Sequence, residues 1–80
     1  MSANVDVLPH AAAVLYWIAA ARENVHWYIQ LRRAYRAEPH AHRRARLWAE
    51  GTRCRERIAP LMTEARRTRA ALARVQGGAA

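Results

Sequence analysis

The sequence predicts an all-α protein whose single domain is a long antiparallel helical hairpin. Only three Gly and three Pro are present among 80 residues, so few positions interrupt a helix. Apolar residues of the second half recur at alternating spacings of four and three, a pattern typical of a helix packed lengthwise against another. A chain of this length forms one small domain at most. Residues 1–80 are therefore expected to form one helical domain.

The first predicted helix spans about residues 7–37. Asp6 is a candidate N-cap, and Pro9 is compatible with the first turn, where its missing backbone N–H is not needed. Pro39 disfavours helical geometry at Glu38, because the ring of a proline crowds the residue before it. The helix is therefore expected to end there.

The second predicted helix spans about residues 40–75 and is followed by a flexible tail, 76–80. Its small and apolar residues form a heptad seam, with Gly51 at position a and Cys54 at position d. The seam consists of Leu47, Gly51, Cys54, Ile58, Leu61, Ala65, Thr68, Leu72 and Val75. Pro60 removes one backbone hydrogen bond, but the seam continues in phase across it. A kinked, continuous helix is favoured over a break into two helices.

Apolar residues cover a wide arc of helix one, in two stripes about 100° apart. The first stripe consists of Val14, Leu15, Ile18, Val25 and Ile29. The second consists of Trp17, Trp27, Tyr28, Leu31 and Tyr35. Because one partner helix covers only one stripe, a second copy of the chain is expected to cover the other, completing a four-helix bundle as a homodimer. The alternative is that the second stripe docks a different protein.

Positive charge is carried by arginine alone and is concentrated in the second half of the chain. All fourteen basic residues are Arg, the formal net charge is +8, and ten of the arginines lie in 41–80 against three acidic residues. Guanidinium stays charged at physiological pH and binds phosphate or carboxylate through a planar fork. A GC-rich coding sequence, as in many bacteria and phages, would also favour Ala and Arg over Lys.

Four arginines share one heptad position on helix two. Arg46, Arg53, Arg67 and Arg74 all fall at c, one per heptad and about 10 Å apart. Such a row could follow the phosphates of a duplex or a folded RNA, with an affinity that falls steeply as salt rises. The predicted binding residues are Arg43, Arg44, Arg46, Arg53, Arg57, Arg66, Arg67 and Arg74. An acidic protein partner and a merely solvated face are the alternatives.

A helix-turn-helix is not supported by the residues around Gly51. The position four residues earlier holds Leu47 where a small residue is needed, and the position six residues later holds Arg57 where an apolar one is needed. The arginines also lie beside the apolar seam rather than before it, unlike those of a basic-region zipper. The sequence therefore predicts phosphate contacts without a known base-reading motif.

The chain is not expected to be an enzyme, to bind a metal or to hold a cofactor. Its six acidic residues and one serine form no carboxylate pair, nucleophile elbow or glycine-rich phosphate loop. Its four His and one Cys do not have the spacing of a zinc site.

The remaining expectations concern location and function. Lone Cys54 cannot form an internal disulfide, and the uncharged stretch 7–21 is too short for a membrane span, so a cytoplasmic protein without membrane association is expected. The predicted function is that of a small binding or regulatory protein of bacterial or phage type that binds nucleic acid. The alternatives are an adaptor or inhibitor that docks an acidic partner through the second stripe, and a structural subunit of a larger assembly.

Overall fold

Two long α-helices make up the part of the chain, residues 2–78, that the computed structural model describes. Helix α1 spans Ser2–Ala37 and helix α2 spans Ala41–Gly78. They pack against each other as a hairpin about 60 Å long, with 16 Å and 12 Å as its other two dimensions. The predicted all-helical hairpin is confirmed. Neither helix is long and apolar enough to cross a membrane within the described residues.

The start of α1 differs from the prediction. The helix begins at Ser2 rather than near residue 7, so the predicted N-cap position, Asp6, lies inside the helix instead of at its start. Pro9 also lies in the helix interior, not in the first turn. The helix continues through Pro9 despite the hydrogen bond that Pro9 cannot donate and the crowding that a proline ring imposes on the residue before it.

The connection between the helices is three residues long and is held by hydrogen bonds. Pro39 ends α1 as predicted. The backbone N–H of Glu38 donates to the carbonyl of Tyr35 at 3.4 Å, and the N–H of His40 donates to the Glu38 carboxylate at 3.1 Å. The carbonyl of His40 accepts from the N–H of Arg44 at 2.9 Å, which starts the hydrogen bonding of α2. The chain therefore reverses within a short, well-bonded turn.

Helix α2 is continuous through Pro60, so the alternative of a break into two helices is wrong, and the kink at Pro60 stays a prediction. The Pro60 side chain is exposed, and so is Glu56, whose carbonyl lacks its usual donor. Water can reach a carbonyl on this side of the helix, so the lost bond is tolerated there. The helix also continues beyond residue 75 to Gly78. Only the last two residues of the predicted tail, 79 and 80, lie outside the described residues.

The heptad seam of α2 faces α1. Gly51 and Ala65 are buried, and the other seam residues are half-buried. Gly51 allows the two backbones to approach, because a Cβ atom built on it would lie 3.7 Å from the Cβ of Leu31 and 4.0 Å from the ring of Tyr28. Small residues thus set the close packing of the hairpin.

The surface of α1 that faces α2 runs between the two predicted stripes. Its heptad positions a hold Val7, Val14, Ala21, Tyr28 and Tyr35, and its positions d hold His10, Trp17, Asn24 and Leu31. All of these residues are buried or half-buried. Asn24 is satisfied locally, since its side-chain amide donates to the carbonyl of Ala20 at 2.9 Å. Helix α2 therefore covers most of the second stripe and little of the first.

Little side-chain volume is fully buried. Among residues 7–77, whose side chains the structure describes, the buried hydrophobic residues are Val14, Ala21 and Ala65. No large side chain in that range is completely enclosed. Two helices can enclose only a narrow strip between them, so much of the apolar surface of this chain remains on the outside.

Candidate functional site

The hairpin has two long sides that differ in composition. In both helices, positions e and b lie on one side of the seam, and positions g and c lie on the other. We call the e and b side the groove face, because a groove between the helices opens there. We call the row of Arg46, Arg53, Arg67 and Arg74, which belongs to the opposite side, the arginine row.

The groove has a volume of about 390 Å³ and an apolar interior. Its lining residues are Ile18, Ala21, Arg22, Val25, Ile58, Met62, Ala65, Arg66 and Arg69. Buried Ala21 and Ala65 form its floor, since both belong to the seam. Two of the lining side chains are exposed and apolar: Val25 comes from α1 and Met62 from α2. The groove is thus an apolar slot between the two helices.

Further apolar side chains extend this surface along α1. Leu8, Leu15 and Ile29 occupy position b, seven residues apart from Leu8 to Leu15 and fourteen from Leu15 to Ile29, and therefore lie on the groove face. Leu15 is 68% exposed, although it belongs to the first predicted stripe. Consequently, most of that stripe lies uncovered beside the groove.

The groove face carries arginines and, in the range whose side chains the structure describes, no acidic residue. Six arginines occupy its e and b positions: Arg22, Arg32, Arg36, Arg55, Arg66 and Arg69. No Asp or Glu occupies these positions between residues 7 and 77. None of the six forms a salt bridge with any described residue. This face therefore combines an apolar surface with unneutralised positive charge.

The arginine row is exposed along its full length. Arg67 pairs with Glu64, whose carboxylate lies 3.2 Å from the guanidinium nitrogen. The other three members, Arg46, Arg53 and Arg74, form no salt bridge within the described part of the chain. Three of the four guanidinium groups are thus available to an external anion.

The other predicted binding arginines are divided among three places. Arg43 and Arg57 are exposed at position g, on the same side as the arginine row. Arg66 lies at the groove instead. Arg44 lies near the turn, where its guanidinium carbon is 5.1 Å from the ring centre of Tyr35 and a side-chain N–H donates to the Tyr35 hydroxyl at 3.4 Å. The predicted set is therefore not one continuous surface.

Aromatic rings and arginines alternate near the turn. The rings of Tyr35 and Trp48 lie 5.2 Å apart between their centres. The guanidinium carbon of Arg32 lies 4.1 Å from the centre of the Trp48 ring and 5.6 Å from that of Tyr28. Residue spacing within α1 does not reveal the role of Arg32, because its ring partner Trp48 comes from the other helix.

The second stripe is divided between the seam and the solvent. Tyr28 and Leu31 pack near Gly51, and Tyr35 packs on Trp48, so all three contact α2. Trp17 is half-buried. Trp27 is 50% exposed. The interface role predicted for these five residues stays a prediction, and Trp27 offers the most exposed side chain for it.

Histidine and cysteine do not assemble a metal site in the described part of the chain. No group of three His, Cys, Asp or Glu side chains comes together there. The rings of His40 and His42 are 6.5 Å apart between centres, next to the turn. Cys54 is a free thiol, half-buried in the seam.

Comparisons with models of protein families, with curated proteins and with solved structures find no match for this chain. Its own two faces are the basis for inferring a function. One presents a row of guanidinium groups that can bind phosphate or carboxylate, and the other presents an apolar slot bordered by arginine.

Proposed function

We propose that this protein is a small, non-enzymatic nucleic-acid-binding protein that contacts the phosphate backbone through the arginine row of α2. The observation that carries the proposal is the set of three exposed guanidinium groups, on Arg46, Arg53 and Arg74, that no acidic side chain neutralises in the described residues. They project from one side of a continuous helix. A linear array of fixed positive charge suits a linear array of phosphates.

The dimensions of the arginine row fit a stretch of duplex. From Arg46 to Arg74 the helix rises about 42 Å, which is about twelve base pairs of B-form DNA. Arg43 and Arg57 lie beside the row and can add contacts. Arginine–phosphate contacts fix position and orientation without reading sequence, so binding is expected to be largely sequence-independent.

We propose further that the protein acts in the cytoplasm of a bacterium or in a phage-infected cell. Lone Cys54, half-buried and unpaired with another cysteine, suits a reducing cytoplasm. An Arg-only basic composition suits a GC-rich bacterial or phage genome, and a small helical protein that coats phosphate can regulate access to nucleic acid.

We also propose that two copies of the hairpin associate as a homodimer and form a four-helix bundle. This proposal is supported by Trp27, which is exposed at position g on the g and c side. Glu23, Glu50 and Glu64 lie on that side too, so a two-fold copy can bring acids against arginines. Position c is farther from the seam than position g, which leaves the arginine row at the edge of such a dimer. Sedimentation at dilute concentration, with Trp27→Gln as the disrupting variant, measures it.

Salt-dependent binding tests the nucleic-acid proposal. The chain is titrated into fluorescent random-sequence 20-base-pair DNA and into a random-sequence RNA hairpin at several salt concentrations. Log affinity is expected to fall linearly with log salt. The variant Arg46→Gln/Arg53→Gln/Arg74→Gln removes up to three phosphate contacts, so its slope for DNA should be shallower by about 2 to 3.

A matched variant separates this face from net charge. Arg22→Gln/Arg66→Gln/Arg69→Gln removes the same charge from the groove face and is expected to keep a slope close to that of the parent chain. Absence of binding at low salt contradicts the proposal. Equal loss in both triple variants contradicts the assignment to the arginine row.

A further inference from the structure

We propose that the groove face is a docking site for an acidic amphipathic helix of a partner protein, which completes a three-helix bundle. The inference uses residues on the opposite side from the arginine row and is independent of the nucleic-acid proposal. It follows from the shape of the groove, its apolar lining and the sign of the charges around it.

The shape of the groove suits a third helix. Two packed helices leave a concave slot between them, and the small side chains of Ala21 and Ala65 keep its floor low. Ile18 and Ile58, one from each helix, line the slot with Val25 and Met62. Side chains from one face of a helix can enter such a slot as knobs into holes.

The apolar surface is too extended to be scattered exposed residues. Leu15 is 68% exposed and Ile29 is 43% exposed, and both share position b on α1 with the groove residue Arg22. Met62 adds a flexible side chain from α2 that is 39% exposed and can adapt to a partner. Contiguous exposed apolar surface bordered by charge is typical of a protein interaction site.

The charges specify what kind of helix fits. Arg22, Arg66 and Arg69 border the groove itself, and no acidic residue occupies the groove face between residues 7 and 77. A partner helix with an apolar stripe flanked by Glu or Asp would bury its stripe in the slot. Its carboxylates could then form paired hydrogen bonds with these guanidinium groups.

A second copy of this chain is a poorer occupant. Two groove faces brought together would place arginines against arginines, and between residues 7 and 77 neither face has a carboxylate side chain to separate them. Juxtaposed like charges oppose association. The homodimer proposed above uses the other side of the hairpin, where both signs of charge are present, and it leaves the groove open.

A lipid surface is also a poorer occupant, although it too combines apolar and anionic groups. The floor residues Ala21 and Ala65 are buried between the helices. A bilayer interface is broad and cannot enter a slot of about 390 Å³ between two rods, whereas the side chains of one helix can. An acidic helix therefore uses more of this surface.

Peptide binding tests the proposal directly. The probe is a fluorescently labelled synthetic helix of about 25 residues with Leu at heptad positions a and d and Glu at e and g. A second peptide carries Lys in place of Glu and is otherwise identical. Fluorescence anisotropy with the full chain is expected to show saturable binding of the Glu peptide below about 100 μM, and binding at least about tenfold weaker for the Lys peptide.

Two groups of variants locate the site. Arg22→Gln/Arg66→Gln/Arg69→Gln should weaken binding of the Glu peptide by about tenfold or more, whereas Arg46→Gln/Arg53→Gln/Arg74→Gln should change it by less than about twofold. Val25→Asn/Met62→Gln should also weaken it by about tenfold, because it makes the slot polar. All the substituted side chains are exposed, and unchanged far-ultraviolet circular dichroism confirms that each variant is folded.

Four outcomes overturn the proposal. The first is that no Glu peptide binding is seen up to about 100 μM. The second is equal binding of the Lys peptide, and the third is equal weakening by both arginine triples. The fourth is evidence for another occupant of the groove. A second copy is the occupant if sedimentation of the peptide-free chain shows a dimer that Val25→Asn/Met62→Gln abolishes. A lipid surface is the occupant if the chain binds phosphatidylglycerol–phosphatidylcholine vesicles in preference to the Glu peptide.

Discussion

The guanidinium of Arg32 lies over the Trp48 ring, with 4.1 Å between the guanidinium carbon and the ring centre. Arg32 belongs to α1 and Trp48 to α2, so this contact joins the helices within about two turns of the connection. Trp48 is exposed, and its ring also packs against Tyr35. A cation–π contact at an exposed site contributes about 0.5–1 kcal/mol, which is a useful fraction of the stability of a small domain.

Replacing Arg32 by Gln should therefore lower the free energy of unfolding by about 0.5–1 kcal/mol. The variant removes the cation above Trp48 but keeps a polar side chain. Urea unfolding followed by circular dichroism measures the change. Arg33→Gln is the matched control, because Arg33 is exposed on the outer side of α1 and has no ring contact among the described residues. An equal loss for both variants would assign the effect to charge alone.

Gly51→Ala should stabilise the hairpin. Alanine is favoured over glycine in a helix interior by about 1 kcal/mol. The added methyl group would lie 3.7 Å from the Cβ of Leu31, an ordinary contact distance, so no neighbour has to move. Thermal and urea unfolding of the variant should show a gain of about 1 kcal/mol.

Two further variants serve as controls for the Gly51→Ala prediction. Gly77→Ala adds a methyl group that has no neighbour within 4 Å, close to the helix end, and should gain less. Gly51→Leu should destabilise the chain by about 1–3 kcal/mol, because a larger side chain would force the helices apart. A destabilising Gly51→Ala would mean that the helices pack more closely at this point than the structure shows.

The sequence predicts α2 better than α1, and the reason is physical. A single regular seam, from Leu47 to Val75, defines one face of α2, and that face packs against α1. Apolar residues on α1 cover a wide arc, so their positions do not select one face. The observed seam passes through Ala21 and Asn24, whose small and polar side chains give little hydrophobic signal.

Residue spacing predicts one of the two candidate sites, the arginine row, but not the groove. The spacing of Arg46, Arg53, Arg67 and Arg74 predicts a common row from one helix alone, and the structure places them on one exposed side. The groove requires two helices in register, because Arg22 comes from α1 and Arg66 from α2. Residue spacing within one helix does not predict which residues of α1 lie beside which residues of α2, so the groove face can be identified only in the packed hairpin.

Adjacent residues Val14 and Leu15 test which face of α1 is inside. Val14 is buried against α2, whereas Leu15 is 68% exposed. Val14→Ala should therefore cost about 1–2 kcal/mol of unfolding free energy, and Leu15→Ala should change it by less than about 0.5 kcal/mol, although it removes the larger side chain. Urea unfolding measures both. A larger loss from Leu15→Ala would place position b of α1, rather than the observed seam at position a, against another surface.

Pro60→Ala tests the continuity of α2. Pro60 lies inside the helix and cannot donate a hydrogen bond to the carbonyl of Glu56. Alanine restores the donor and removes the clash of the proline ring, and the side chain at this position is exposed, so no core contact is lost. The unfolding free energy should rise by about 1–3 kcal/mol.

Ala59→Ser, at the preceding exposed position, is a control that keeps Pro60 and should change stability by less than about 0.5 kcal/mol. If residues near Pro60 formed a loop between two shorter helices, proline would instead suit the connection, and Pro60→Ala would leave stability unchanged or lower it.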